Sequence, residues 1–300
     1  MRESLQSKVD KSIERLKAFC PPEGYYLAFS GGKDSCVCKA LLDMSRCKYT
    51  AYYRLTGIDP PELVQFIKEK HPDVQFEIPR YADGTVATMW KSIIRHGMPP
   101  TRIIRYCCQE LKESGGDGRM MVTGVRWEES SNRASNQGQV TIMDKKAAKN
   151  NTFSEDFNVT KRGGVILIND SDESRRMIES CYKRHKTSVN PIIDWTTQDV
   201  WDFIKGNDIP YCSLYDEGFQ RIGCIGCPMA QRRGREKEFA RYPKYRNAYI
   251  MAFDKMLKVR EARGNQSKLS WANGEAVFHW WMEDGVLPNQ INLFEDNEND

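Results

Sequence analysis

Tyr25-Tyr26-Leu27-Ala28-Phe29-Ser30-Gly31-Gly32-Lys33-Asp34-Ser35 reads as a buried strand that passes through a glycine turn into a helix. Gly31 and Gly32 carry no side chains, so the backbone can take positive φ and a ligand oxygen can reach the amides. Asp34 and Ser35 are good N-cap types, and Val37, Leu41 and Met44 then fall on one face of the following helix. Such a junction aims unsatisfied amides and the positive end of a helix dipole at an anion, and Lys33 adds a full charge. A pyrophosphate or sulfate group fits that description. The string is neither the G-x-x-x-x-G-K-S/T loop nor the G-x-G-x-x-G fingerprint, and an ordinary Gly-Gly turn is the plainer reading of its glycines.

The pattern continues outward from this junction. Leu5, Val9, Ile13 and Leu16 stand at helical spacing and predict an amphipathic lead helix ending near Ala18. Tyr49 to Leu55 alternates as a strand, and Thr56-Gly57-Ile58-Asp59-Pro60-Pro61 turns into a helix from Glu62 to Lys70. Val74–Ile78, Met120–Val125, Val165–Ile168 and Asn190–Trp195 read as strands; Val86–His96, Asp172–Lys183 and Thr197–Lys205 read as helices. This alternation predicts an α/β fold, a mostly parallel sheet wrapped by helices, with its ligand at the carboxyl ends of the strands. Residues 136–162 turn polar and predict an exposed insertion. The expected division is an α/β domain over 1–228 and a basic, aromatic, helical region over 229–300 with an acidic tail.

Three hundred residues suffice for such a core. Forty-five basic against 41 acidic residues leave a net charge of +4, which excludes a polyanion binder across the whole chain. No segment approaches the roughly 18 apolar residues of a membrane span, and Met1–Ser7 carries no apolar signal core, so no membrane partner and a cytoplasmic location are expected. Of ten cysteines, Cys20, Cys36, Cys38, Cys47 and Cys181 are scattered beside apolar residues and read as small core fillers.

Four others are grouped. Cys107-Cys108 is a vicinal pair, and Cys224-Ile225-Gly226-Cys227 is a C-x-x-C. Together they offer the four thiolates that close a tetrahedral zinc site or hold a 4Fe-4S cluster. Adjacent cysteines are awkward ligands for one ion, whereas a cluster spreads its ligands over several irons, which favours iron-sulfur over zinc. Unligated or redox-paired thiols are the remaining reading, and Cys212 is either a substitute ligand or a plain loop residue.

With these residues in view, the chain resembles the phosphoadenosine phosphosulfate (PAPS) reductase family of the PP-loop adenine nucleotide α-hydrolase superfamily. The string Ser30-Gly31-Gly32-Lys33-Asp34-Ser35 matches the PP-loop itself. Thr56-Gly57-Ile58-Asp59-Pro60-Pro61-Glu62 is similar to the family's second-strand turn, and Gly124-Val125-Arg126-Trp127-Glu128-Glu129-Ser130-Ser131-Asn132-Arg133 to its G-x-R-x-x-E-S-x-x-R motif. Asn190–Trp195 through Tyr215-Asp216-Glu217-Gly218 is similar as well. The resemblance implies an adenine nucleotide at Ser30, Gly31, Gly32, Lys33, Asp34, Ser35, Thr56, Gly57, Gly124, Arg126 and Arg133. Lys33, Asp34 and Arg126 would be catalytic, with Asp34 either orienting a magnesium-bound triphosphate or capping its helix. Arg105 and Lys112 flank the cysteine pair and would steady an anionic cluster or reach the substrate.

Relatives that reduce adenylyl sulfate (APS) attack it with a cysteine near the C-terminus, whereas here no cysteine follows Cys227 and Leu293–Asp300 is acidic and thiol-free. That departure favours ATP-dependent adenylation with pyrophosphate release and sulfur transfer to a nucleic acid or small molecule. Reduction of APS or PAPS to sulfite is the alternative, and a nucleotide-sensing subunit with a structural metal is a third. Between Gln231 and Arg263 there are eleven Arg or Lys against four Asp or Glu, interleaved with Phe239, Tyr242, Tyr245 and Tyr249. This suits either nucleic-acid contact or a solvated helical face with inward tyrosines. A sulfur or electron donor protein is a further expected partner, and an oligomer is compatible with the chain.

Overall fold

The computed structural model describes residues 4–116, 118–142, 157–159, 164–167, 187–264 and 271–283. They divide into two compact bodies: Met1–Arg54, Pro61–Glu77 and Gly115–Ile222 form one, and Leu55–Pro60, Ile78–Ser114 and Gly223–Asp300 the other.

The first body is built on an eight-stranded sheet. Its strands are β1 (Tyr25–Ala28), β2 (Tyr49–Arg54), β3 (Gln75–Glu77), β4 (Met120–Val122), β5 (Val140–Ile142), β6 (Phe157–Val159), β7 (Gly164–Leu167) and β8 (Thr187–Val189). The order is β3-β2-β1-β4-β8-β5-β7-β6. Pairs β1–β2, β2–β3, β1–β4 and β4–β8 are parallel, and β5–β8, β5–β7 and β6–β7 antiparallel. A mostly parallel α/β sheet wrapped by helices is therefore what the chain forms. Strand order reverses between β1 and β4, and a reversal of that kind opens a crevice at the carboxyl ends of the two strands.

Helices α1 (Leu5–Ala18), α2 (Lys33–Ser45) and α3 (Pro61–Lys70) flank this sheet; α4 (Met89–His96) and α5 (Tyr106–Leu111) belong to the second body; α6 (Ser131–Asn136) and α7 (Thr197–Gly206) return to the first. The lead helix forms as its spacing requires, burying Val9 and Leu16. It is also latched by polar groups. The Lys8 ammonium lies 2.6 Å from the Asp199 carboxylate in a buried pair, and Ser12 and Arg15 both donate to the carbonyl of Pro191.

Two expectations are corrected here. The predicted strand Asn190–Trp195 is a turn; the strand precedes it at Thr187–Val189, because the carbonyls of Asn190 and Pro191 accept from α1 side chains and not from a ladder. The polar stretch 136–162 contributes two short strands, β5 and β6, whose three residues each are too few to show alternation. The predicted helix Asp172–Lys183 and Cys181 lie outside the described residues.

In the second body, α8 (Arg232–Arg241), α9 (Pro243–Ala262) and α10 (Gly274–Met282) pack with α4 and α5 around Phe239, Tyr249, Phe253, Phe278 and Trp281. Phe239, Tyr242 and Tyr249 are buried, so of the two readings of 231–263 the inward packing of these rings is the one observed. Among the described residues no helix is long and apolar enough to cross a membrane.

Burial pushes the Asp199 carboxyl up, but hydrogen bonds from Lys8 and Thr196 outweigh it and hold the group below the usual carboxylate range. The latch is therefore present above that range and is lost as pH falls through the lowered value. Lys8→Met, which strands a buried carboxylate, is expected to cost about 3 kcal/mol in urea unfolding at pH 7. The gap to the unmodified chain should shrink as pH falls through the lowered value and Asp199 protonates. A gap that is independent of pH would show that packing alone holds α1.

Candidate active site

The crevice between β1 and β4 is lined by the segments that leave those strands. After β1, Gly31 adopts φ +74°, and a Cβ there would lie 2.7 Å from Ile67 and 2.8 Å from Leu63, so only glycine can make the turn. Gly32, not Asp34 or Ser35, is the N-cap of α2, and it offers no side chain to the helix amides. The first helical bond runs from the Cys36 amide to the Gly32 carbonyl at 3.1 Å, so the amides of Lys33, Asp34 and Ser35 precede the ladder. The Gly32 amide reaches Ser30 Oγ at 3.4 Å, and the Lys33 amide donates to the Tyr215 hydroxyl at 3.0 Å. Ser35 Oγ donates back to the Gly32 carbonyl at 2.8 Å, which stiffens the turn.

After β4 the chain crosses directly above this turn. A Cβ on Gly124 would come within 3.0–3.2 Å of the Cβ and backbone of Asp34, so the close approach needs glycine. Arg126, 3% exposed, then reaches back across the crevice. Its Nε donates to Asp34 at 2.8 Å, and its terminal nitrogens donate to Glu128 at 2.8 Å, the Trp195 carbonyl at 3.3 Å and Thr197 Oγ1 at 3.2 Å. The other Asp34 oxygen accepts from the Lys33 ammonium at 2.8 Å. Asp34 thus sits between two cations, and the planar fork of Arg126 is engaged by protein acceptors. Burial pushes the Glu128 carboxyl up, yet hydrogen bonds from Thr197 and Arg126 hold it below its ordinary value. Arg133 pairs with Glu129 on α6 and its turn.

Glu128, Thr197 and Tyr215 complete this arrangement and are not marked by residue type. Thr197 and Tyr215 meet Arg126 and Lys33 from segments distant along the chain, and Glu128 joins its neighbour Arg126 to the distant Thr197.

The second body holds Thr56, Gly57 and the four grouped cysteines. Thr56 is buried and donates to Asp59 at 2.7 Å, while Gly57 takes φ +76°. Cys107 and Cys108 open α5, and Cys224 and Cys227 bracket a turn in which Gly226 takes φ +73°. A Cβ on Gly226 would lie 2.4 Å from Phe239. The turn is held on every side: Gly226 donates to Glu238 at 2.7 Å, the Ile225 amide to the Ile58 carbonyl at 2.8 Å, and Tyr249 to the Ile225 carbonyl at 3.0 Å.

The thiols feel one another. Cys107 is pushed far up, first by its hydrogen bond to Cys108, then by burial and by the neighbouring Cys108, Cys224 and Cys227. The hydrogen bond from Cys107 lowers Cys108 to about 6, with Arg105 contributing at 3.6 Å. Burial pushes Cys224 up to about 12 against the pull of Lys112, which also lies 3.9 Å from Asp59. Among the described residues no group of three or more His, Cys, Asp or Glu side chains is arranged to hold a metal ion. Cys212 is buried in the first body.

Comparison with known proteins places these features in a family. The model of the phosphoadenosine phosphosulfate reductase domain matches residues 24–230. An uncharacterized protein of Methanocaldococcus jannaschii is 26% identical over 261 residues, covering 83% of this chain and 52% of the relative. The chain thus spans about half the length of that relative. The adenosine 5'-phosphosulfate reductase of Oceanobacillus iheyensis is 54% identical over 39 residues, 13% of this chain and 16% of the relative. Among solved structures, phosphoadenylyl-sulfate reductase from Candida auris, in a phosphate complex, has a TM-score of 0.41 at 14% identity, covering 75% of this chain and 97% of that one. FMN adenylyltransferase from Candida glabrata, with FAD and inorganic pyrophosphate, has 0.44 at 13% identity, covering 74% and 63%.

Removing the Arg126 guanidinium leaves Glu128 without its cation and Asp34 with Lys33 alone. Arg126→Met is expected to lower stability by about 3 kcal/mol in denaturant unfolding. A loss under 1 kcal/mol would mean that the buried fork does not tie the two strand ends together.

Proposed function

The chain belongs to the phosphoadenosine phosphosulfate reductase domain family, and from that premise we propose that it is an enzyme of sulfur metabolism that binds an adenine nucleotide at Ser30–Ser35. The observation that carries this reading is the glycine turn through Gly31 and Gly32 into a helix whose N-cap offers no side chain, at the point where strand order reverses. A helix start without a side-chain cap, next to a buried lysine, favours a polyphosphate. Gly124 and Arg133 are proposed to complete the nucleotide site.

The chemistry we favour is adenylation. A substrate oxygen forms a bond to the α-phosphorus of ATP, the bond between α-phosphorus and bridging oxygen breaks, and pyrophosphate leaves with the electron pair. Hydrosulfide supplied by a sulfur donor then attacks the activated carbon of the substrate, a nucleic acid or a small molecule; the new carbon–sulfur bond forms as the carbon–oxygen bond breaks, and AMP leaves with the electron pair. Lys33 and the amides of the turn stabilise charge on the departing phosphates. Asp34, held between Lys33 and Arg126, keeps the lysine aimed along the turn or orients a magnesium ion carried by the triphosphate. Arg126 acts by holding Asp34, and it meets phosphate only by exchanging one of its protein acceptors.

Cys107, Cys108, Cys224 and Cys227 are the residues that would hold a 4Fe-4S cluster. Support for this comes from the donor set, four thiols that influence one another with Arg105 and Lys112 beside them to offset the charge of an anionic centre, and not from their arrangement, since the side chains do not converge on one point. A bound cluster supplies one-electron chemistry or a fixed negative charge; zinc is the alternative occupant. The family itself favours the second reading, reduction of APS or PAPS to sulfite.

Both parts are testable on anaerobically purified protein. Pyrophosphate release from ATP with a tRNA, DNA or small-molecule acceptor is expected to fall at least a hundredfold in Lys33→Ala. Iron and sulfide are expected in the purified chain and should be lost in Cys107→Ser or Cys224→Ser. Sulfite from APS or PAPS with a thiol donor, and no pyrophosphate from ATP, would replace adenylation by the reductase reading. Stoichiometric zinc without iron would overturn the cluster.

A further inference from the structure

Tyr215 is quoted within a family-like segment, yet its residue type carries no role in the sequence reading. It ends a 3-10 turn, Ser213–Tyr215, that is fixed by its own backbone. The Tyr215 amide donates to the Cys212 carbonyl at 3.2 Å, Gly218 donates to the Tyr215 carbonyl at 3.1 Å, and Phe219 donates to Leu214 at 3.1 Å. Its ring stands edge-on to Trp201 of α7 at 5.1 Å and to Tyr211 at 6.4 Å. The phenol is therefore wedged in place and is not a swinging side chain.

Its hydroxyl arrives at one point of the anion-binding turn. It accepts from the Lys33 amide at 3.0 Å, and a Cβ on Gly32 would lie 3.5 Å from it, so it stands over the bare face of the Gly-Gly pair. Burial pushes the phenol well above its ordinary value, so it is neutral and keeps its proton. Having accepted from an amide, the hydroxyl still has that proton to donate, and among the described residues nothing accepts it. A hydroxyl that accepts from one donor is polarised into a better donor itself.

We propose that Tyr215 is a phosphate-binding residue of the nucleotide site: it relays the Lys33 amide through its hydroxyl and donates to a phosphate oxygen of the bound polyphosphate. This rests on the nucleotide reading of Ser30–Ser35. The competing possibility is that the hydroxyl merely stands in for the anion and must leave. Three facts argue against that: the rigid 3-10 turn, the ring clamp, and the lack of any acceptor for the proton.

The test is calorimetric titration of wild type and Tyr215→Phe with inorganic pyrophosphate and with ATP. A hydrogen bond to a charged group predicts about a tenfold to hundredfold weaker affinity for both ligands in the variant. The thermal midpoint controls for folding. A second measurement needs no functional variant: in wild-type protein labelled at tyrosine Cζ, the Tyr215 resonance, assigned by its loss in Tyr215→Phe, should shift on adding pyrophosphate. Equal affinity and an unmoved resonance would overturn the proposal, and tighter binding by Tyr215→Phe would show a competing cap instead. Wild-type protein that binds neither ligand would sink the nucleotide reading as well.

Discussion

The ion pair between Arg126 and Asp34 is the constraint on which the crevice depends. Arg126 leaves the strand-end segment after β4, and Asp34 stands in the first turn of the helix that follows β1. Joining them fixes the two edges of the point where strand order reverses. The pair is 2.8 Å long and buried on the arginine side, so removing the guanidinium leaves Asp34 with Lys33 alone and Glu128 without its cation. Gly124 eases the approach, because a Cβ there would press on Asp34 at 3.0–3.2 Å. Lys33, Glu128 and Thr197 then follow as neighbours that satisfy the remaining charges and donors.

Much of this was legible from residue types. Two glycines between an apolar run and a lysine require a turn with positive φ, and the same bareness that permits the turn exposes its amides. The strand and helix order followed from short-range periodicity, which is a local property. What failed was non-local. Asp34 and Ser35 have the chemistry of caps, but Asp34 is claimed by two cations and Ser35 faces back to Gly32, leaving Gly32 as the cap. Asn190–Trp195 reads as a strand by composition, yet its carbonyls are taken by Lys8, Ser12 and Arg15 from the lead helix. The fork of Arg126 is visible in sequence; its acceptors, some seventy residues away along the chain, are not.

The second body teaches the same lesson through packing. Its segments are drawn from three separate stretches, an interleaving for which periodicity carries no signature. The C-x-x-C turn is framed by Glu238, Tyr249 and Phe239 from the C-terminal helices, so those helices build the surroundings of Cys224 and Cys227. Basic residues between Gln231 and Arg263 suit either a polyanion surface or a solvated face with inward rings, and the rings interleaved with them are mainly core. Arg235 itself is fully buried against the Trp281 ring at 4.3 Å. A buried arginine and an exposed one look alike in a sequence and have opposite consequences.

If the turn after β1 holds the phosphates of an adenine nucleotide, its backbone amides must respond to the ligand. Amide chemical shifts of Gly31, Gly32, Lys33, Asp34 and Ser35, followed while ATP is added to isotopically labelled protein, test it most directly. Saturable shifts concentrated in these five amides are expected. Saturable binding that leaves all five unmoved would contradict this reading.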